Sequence, residues 1–172
     1  MEKNKTINKN LYTVIEKTGE TDLSYYNKTI KNKKIIIVKS NFHNEITSSI
    51  VFNFLNSLSP NLTNTVGVVE APGSFEIPFF IKKILKKYEP SIILAVGCII
   101  KGDTKHNEYL ASTVINALRN LSIEFTTPVI NGVLTTENIQ QAIDRAGIKY
   151  KKGHEFAANI ELIINQLQKL DK

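Results

Sequence analysis

Ser91-Ile92-Ile93-Leu94-Ala95-Val96-Gly97-Cys98-Ile99-Ile100 runs without a break into Lys101-Gly102-Asp103-Thr104-Lys105-His106. The first part is a near-continuous apolar run, the pattern of a parallel strand covered on both faces rather than one wetted on alternate residues. The second part is a short polar turn with one imidazole at the carboxyl end of that strand, where open α/β sheets build their sites. Ser40-Asn41-Phe42-His43, Ala71-Pro72-Gly73-Ser74-Phe75-Glu76 and Asn131-Gly132-Val133-Leu134-Thr135-Thr136 are read as occupying the same place after strands of their own. Four loops are thus expected to converge on one edge of one sheet.

Outward from that stretch the pattern is regular. Ile35 to Val38 is a β-branched run that reads as the first strand, and a helix from about Glu45 to Leu58 follows, with Ile46, Ile50, Val51, Phe54, Leu55 and Leu58 on one stripe. Ser59-Pro60-Asn61 is read as its end. Thr65 to Ala71 is the second strand, and the next helix is expected to open near Ser74 as its cap, with Glu76 and Pro78 in the first turn. After the third strand, Ser91 to Ile100, a helix runs from about Lys105 to Leu121, and Pro128 to Leu134 is a shorter fourth strand. A helix from about Glu137 to Ala146 ends at Gly147, read as a left-handed cap. A basic linker, Ile148 to Lys152, leads to a last helix from about His154 to Leu170. With right-handed crossovers this order gives a parallel sheet between helical layers, an α/β sandwich.

The 172 residues and 42% apolar content suffice for one core without staples. Residues 1–32, rich in Lys, Asn and Thr, read as an N-terminal extension whose patches Leu11 to Ile15 and Leu23 to Tyr26 can dock on the body or a neighbour. The domain proper is 33–172. One cysteine excludes an internal disulfide and any multi-cysteine metal site. No apolar run reaches membrane-spanning length and no apolar leader opens the chain, so a soluble, cytoplasmic protein with no membrane partner is expected. The net charge of +6 comes from scattered lysines without interleaved aromatics, which reads as a solvated surface and not as a nucleic-acid interface. No G-x-G-x-x-G follows a strand and no P-loop occurs, which disfavours a dinucleotide dehydrogenase or a P-loop kinase.

What remains is a set of anion-binding and proton-transferring groups. Asp103, Thr104 and the amides around Gly102 precede a helix N-terminus, where free N–H groups and the helix dipole favour an anion such as phosphate. Arg145, in the last turn of its helix, and Lys152 can add charge-assisted hydrogen bonds, or can simply be an exposed helix end and linker. His106 can exchange protons near neutral pH; His43 and His154 have weaker cases. Phe42 either offers a flat ring a stacking face or folds back over the core. Glu76 either accepts hydrogen bonds from substrate hydroxyls or favours the helix start, and Cys98 reads as a small buried hydrophobe.

Five phrases in order, Ser40 to Thr47, Ala71 to Pro78, Gly97 to Tyr109, Pro128 to Gly147 and Lys152-Gly153, together resemble the lumazine synthase family. The resemblance covers about Lys33 to the C-terminus. It implies a flavodoxin-like three-layer α/β/α sandwich with a four-stranded parallel sheet. It implies condensation of 5-amino-6-(D-ribitylamino)uracil with 3,4-dihydroxy-2-butanone 4-phosphate to 6,7-dimethyl-8-ribityllumazine, phosphate and water, a transferase step of riboflavin biosynthesis without metal or organic cofactor. By position, Phe42 then stacks on the pyrimidine, Ser74, Phe75 and Glu76 hold the ribityl chain, and Cys98, Ile99 and Ile100 line the pyrimidine pocket. Asp103 and Thr104 bind phosphate, Arg145 reaches it from the next subunit with Lys152 nearby, and His106 shuttles protons. His43 stands where the family often has Asn, and Asn131 where it often has an aromatic residue, which reduces pyrimidine stacking from the neighbouring subunit. The linker from Gly147 to Gly153 is one residue shorter than in many relatives. The resemblance further implies a homo-oligomer with sites at subunit interfaces, minimally a pentamer, in some members an icosahedral shell, and it admits riboflavin synthase as a partner. A non-catalytic flavin- or lumazine-binding module, or a shell-forming scaffold of the same fold, is the competing reading.

Overall fold

The computed structural model describes residues 30–170. Most of the expected extension, including its two apolar patches, lies outside the described residues. Ile30, at the near end, packs against the core.

Strands β1 (Ile35–Ser40), β2 (Val66–Ala71), β3 (Ile92–Ile100) and β4 (Val129–Thr136) pair in parallel in the order β2-β1-β3-β4. Every residue of β1 is buried, and β3 is buried up to Cys98 and Ile99, which is why their sequences carry no polar alternation. Helices α1 (Asn44–Ser57), α2 (Pro60–Thr63), α3 (Ile77–Lys87), α4 (His106–Glu124), α5 (Ile139–Ala146) and α6 (Lys152–Leu170) complete the chain.

Residues of β1 divide between two cores by the period of two. Ile35 and Ile37 join Ile50, Phe54, Val96, Ala142, Phe156 and Ile160 under α1, α5 and α6. Ile36 and Val38 join Ile77, Ile81, Ile93, Val114 and Leu118 under α3 and α4. The result is the expected three-layer α/β/α sandwich. Connections leaving β1 and β3 diverge toward opposite sides of the sheet, which opens a crevice beyond their carboxyl ends.

Several local expectations are corrected. Pro60 does not merely end α1; it starts the single-turn α2. Ser74 does not cap α3: the helix begins at Ile77, Glu76 is the residue before it, and the Ser74 hydroxyl is buried without a partner. The fourth strand does not stop at Leu134 but runs to Thr136, so Asn131 to Thr136 lies wholly within β4 and forms no loop after it. Gly147 has φ −90°, not a left-handed conformation; the left-handed residue is Lys151, φ 47°, immediately before α6. Lys152 belongs to the first turn of α6, not to the linker. Asn138, rather than Glu137, opens α5, and its side chain accepts a hydrogen bond from the Gln141 amide at 2.9 Å.

Candidate active site

A cavity of about 590 Å³ opens beyond the carboxyl ends of β1, β2 and β3. Phe42, His43, Gly73, Ser74, Phe75 and Glu76 line one part, with Cys98, Ile99, Ile100, Gly102, Thr104, His106, Asn107 and Leu110 lining the rest. Its volume lies in the range of small-molecule sites. Three of the four loops read from the sequence meet there. The fourth stretch is internal to β4, so it contributes no lining residue.

The turn after β1 is fixed by continuing the parallel ladder past the strand ends. The Asn41 amide donates to the Ala71 carbonyl at 2.8 Å and the Phe42 amide to Pro72 at 3.1 Å. The Phe42 amide also reaches Ser40 Oγ at 3.1 Å, and Thr47 Oγ1 donates to the Ser40 carbonyl at 2.8 Å. His43 closes the turn at φ 57°, ψ 48°, a left-handed conformation uncommon for residues other than glycine. Phe42 is thereby held outward, 64% exposed, and does not fold over the core. The His43 ring stands edge-on to it at a centroid distance of 4.6 Å, and burial holds the His43 imidazole below its ordinary pKa. His43 is therefore a lining residue, more prominent than its sequence setting indicated.

The turn after β2 supplies a second exposed ring, Phe75, and two polar groups. Ser74 Oγ points at the backbone of β3. A Cβ on Gly97 would lie 2.6 Å from it, so only glycine leaves room for the hydroxyl. Among the described residues, Ser74 Oγ and Asn107 Oδ1 are the buried side-chain polar atoms without a hydrogen-bond partner, and both residues line the cavity. A buried orphan of this kind costs about 1–3 kcal/mol. The Glu76 carboxylate folds back over Gly73 and remains partly exposed at the rim.

On the third side, β3 ends with Lys101 donating its amide to the Thr136 carbonyl at 2.8 Å. The chain then turns through exposed Gly102 to Lys105 into α4. Thr104 Oγ1 accepts from the His106 amide at 3.4 Å, which places a hydroxyl at the amide end of a long helix, and both residues line the cavity. Cys98 is 2% exposed, and burial pushes its thiol up to about 12, so it acts as wall and not as nucleophile.

Asp103, Asn131, Arg145 and Lys152 are not among the lining residues of this cavity. Asp103 is exposed in the turn beside Thr104. Asn131 pairs across from Ala95 in mid-strand, with its own Oδ1 accepting from the Val133 amide at 3.1 Å. The Arg145 guanidinium lies 5.9 Å from the centre of the Tyr150 ring, and Lys149 Nζ lies 5.3 Å from it. Lys152 pairs with Glu155 at 2.6 Å. Sequence reading missed Asn107 and Lys39. Asn107 directly follows His106 at the helix start, and Lys39 is the one charged residue of β1, directly before the stretch Ser40 to His43.

Among the described residues no group of three or more His, Cys, Asp or Glu is arranged to hold a metal ion, and no helix is long and apolar enough to cross a membrane.

Residues 32–168 match the family described as 6,7-dimethyl-8-ribityllumazine synthase. Relatives of that name include one from Prochlorococcus marinus, 35% identical over 135 residues, covering 75% of this chain and 85% of the relative. One from Thermococcus kodakarensis is 34% identical over 137 residues, 80% and 88% of the two chains. One from Limosilactobacillus reuteri is 34% identical over 138 residues, 80% and 90%. With the family's model matching most of the chain and relatives of this identity and coverage, the chain belongs to the 6,7-dimethyl-8-ribityllumazine synthase family.

Proposed function

We propose that this chain condenses 5-amino-6-(D-ribitylamino)uracil with 3,4-dihydroxy-2-butanone 4-phosphate, releasing 6,7-dimethyl-8-ribityllumazine, phosphate and water, as a transferase of riboflavin biosynthesis. The observation that carries the reading is the composition of one cavity: an outward aromatic ring, a buried hydroxyl with no partner, a carboxylate at the rim and an imidazole beside a helix N-terminus.

Each group suits one part of the chemistry. Phe42 stacks on the pyrimidine. The Ser74 hydroxyl, Phe75 and the Glu76 carboxylate hold the ribityl chain, and a polyol donor or acceptor offsets the cost of the orphaned Ser74 Oγ. Cys98, Ile99 and Ile100 form the pyrimidine wall. Asp103, Thr104 and the first amides of α4 receive the phosphate, whose charge the helix dipole favours. His106 takes the proton released when the amine attacks the ketone and returns protons as water and phosphate leave and the ring closes. Holding two small reactants in register supplies much of the rate. The His106→Ala variant therefore turns over more slowly without losing all activity.

Arg145 and Lys152 complete the phosphate site of the next subunit, and Asn131 meets the neighbour's pyrimidine without the stacking an aromatic would give. This reading requires a homo-oligomer, minimally a pentamer. The short turn between Gly147 and Gly153 favours assembly of pentamers into a shell, with riboflavin synthase as an enclosed partner. The domain spans 33–172, residues 1–32 form an extension, and the protein works in the cytoplasm.

Mixing the two substrates with the purified chain tests the activity. Appearance of the fluorescent lumazine, absent when butanone phosphate is withheld, is the expected result. Binding of lumazine without turnover would instead make the chain a non-catalytic member of the fold.

A further inference from the structure

Lys39 is among the largest fully buried side chains of the described core and is the charged one among them, and nothing in the chemistry above uses it. It sits on the face of β1 that otherwise carries Ile35 and Ile37, where an apolar residue would serve packing. Its ammonium donates to Asn44 Oδ1 at 2.6 Å and Asn41 Oδ1 at 3.0 Å, and lies 3.4 Å from both Ser48 Oγ and Glu70 Oε1. Asn41 Nδ2 in turn donates to Glu70 Oε2 at 3.2 Å. Asn41 and Asn44 bracket the two residues between them, Phe42 and His43. One buried cation therefore grips both ends of the turn that holds His43 in a left-handed conformation and Phe42 outward.

We propose that Lys39 is a positioning residue that acts through Asn41 and Asn44 to hold the Phe42 ring at the angle the pyrimidine needs. The inference rests on the reading of Phe42 as the stacking group. Burying an ammonium in place of an apolar side chain of similar volume brings little or no stability. Desolvation disfavours the charged form of Lys39, and Glu70 offsets only part of that. Glu70, Asn41 and Asn44 all reach solvent, so removing the ammonium strands no buried partner. What is lost is the common anchor of the turn, and supporting groups of this kind set the precision of a binding constellation.

The test is a double-mutant cycle between Lys39→Met and Phe42→Ala in the full assembled protein. Lys39→Met raises KM for the ribitylaminouracil about tenfold, leaves KM for the butanone phosphate within about twofold and does not lower the thermal midpoint. Placed on Phe42→Ala, it adds less than about twofold. An equal rise in both KM values, a full tenfold effect on top of Phe42→Ala, or no change in KM overturns the proposal. Asn44→Ala, at an exposed position, removes the shortest of the contacts and gives the same selective rise should Lys39→Met fail to fold.

A second readout separates this proposal from the stacking reading. The chain has no tryptophan, so Phe42→Trp supplies a single tryptophan in the turn, whose emission can be excited apart from that of the six tyrosines. Adding Lys39→Met to it at least doubles the acrylamide quenching constant if Lys39 holds the turn. Unchanged quenching overturns the role of Lys39 whatever Phe42 binds, whereas a Phe42→Ala variant with an unaltered KM overturns the stacking reading alone.

Discussion

Gly153→Ala is the substitution for which the packing gives the sharpest expectation. A Cβ at 153 would collide with the Ile50 carbonyl oxygen, lie 2.7 Å from the Phe54 amide nitrogen and 2.8 Å from the Asn53 Cβ. Two of these neighbours are backbone atoms of α1 and cannot rotate away, so α6 must retreat by roughly an ångström to restore ordinary contact distances. The contacts that Phe156, Ala157 and Ile160 make with the α1 face of the core loosen together. Overpacking against rigid backbone falls at the upper end of the usual cost, about 3 kcal/mol. The same shift pulls on the Ala146 carbonyl, which accepts from Asn53 Nδ2 at 2.9 Å and Ser49 Oγ at 3.3 Å, and so displaces the end of α5 that carries Arg145. Urea unfolding at unchanged m-value is the assay. Gly102→Ala is the control, because a Cβ there meets nothing within 4 Å, and it should change stability by less than about 0.5 kcal/mol. A Gly153→Ala variant as stable as the control would refute the packing argument.

Two further outcomes follow from the site. His43→Asn should stabilise the fold by about 0.5–1 kcal/mol, because asparagine tolerates the left-handed conformation that His43 adopts. Burial lowers the His43 pKa from 6.5, so below that pH the unfolded chain takes up a proton that the folded chain resists. The stability involved is complete above about pH 6.5 and is lost as the pH falls toward the folded value, so the advantage of His43→Asn over the parent should widen between about pH 7 and about pH 5; thermal midpoints across that range check it, and a constant difference counts against it. Cys98, buried with its thiol near 12, should resist iodoacetamide at about pH 8 in the native protein and react fully in guanidinium. Equal labelling rates in the two states would show that the wall of the cavity is open.

The buried strands were legible because burial on both faces writes itself into β1 and β3 as unbroken apolar runs. The stripe of α1 was legible for the corresponding reason at helical period. Asn131-Gly132 fell inside the strand expected over Pro128 to Leu134 although that dipeptide is a common turn signal. The structure keeps the pair in β4 for a tertiary reason: Asn131 faces outward, and a Cβ at 132 would lie 2.7 Å from the Ala95 carbonyl. Ser74 reads locally as a cap, but the turn continues through Phe75 and Glu76 and its hydroxyl points at Gly97, far along the chain. Gly147 reads as the reversal after α5. The chain instead continues coiling, with Tyr150 bonded to the Asp144 carbonyl at 3.1 Å and Lys151 to that of Gly147 at 3.0 Å, and the left-handed residue comes at Lys151. Lys39 was hidden because a lysine in a sequence is presumed to reach water, and only the fold shows it gripping Asn41 and Asn44.

Mixed oligomers test most directly whether a site is completed across a protomer boundary. His106→Ala and Arg145→Ala are each purified, dissociated, mixed in equal amounts and reassembled, and turnover is followed at subsaturating butanone phosphate. If the imidazole of one copy works with the guanidinium of the next, random head-to-tail assembly leaves about a quarter of the sites with both groups intact, and activity rises to about a quarter of the parent's. Activity that stays at the average of the two separate variants would contradict a shared site.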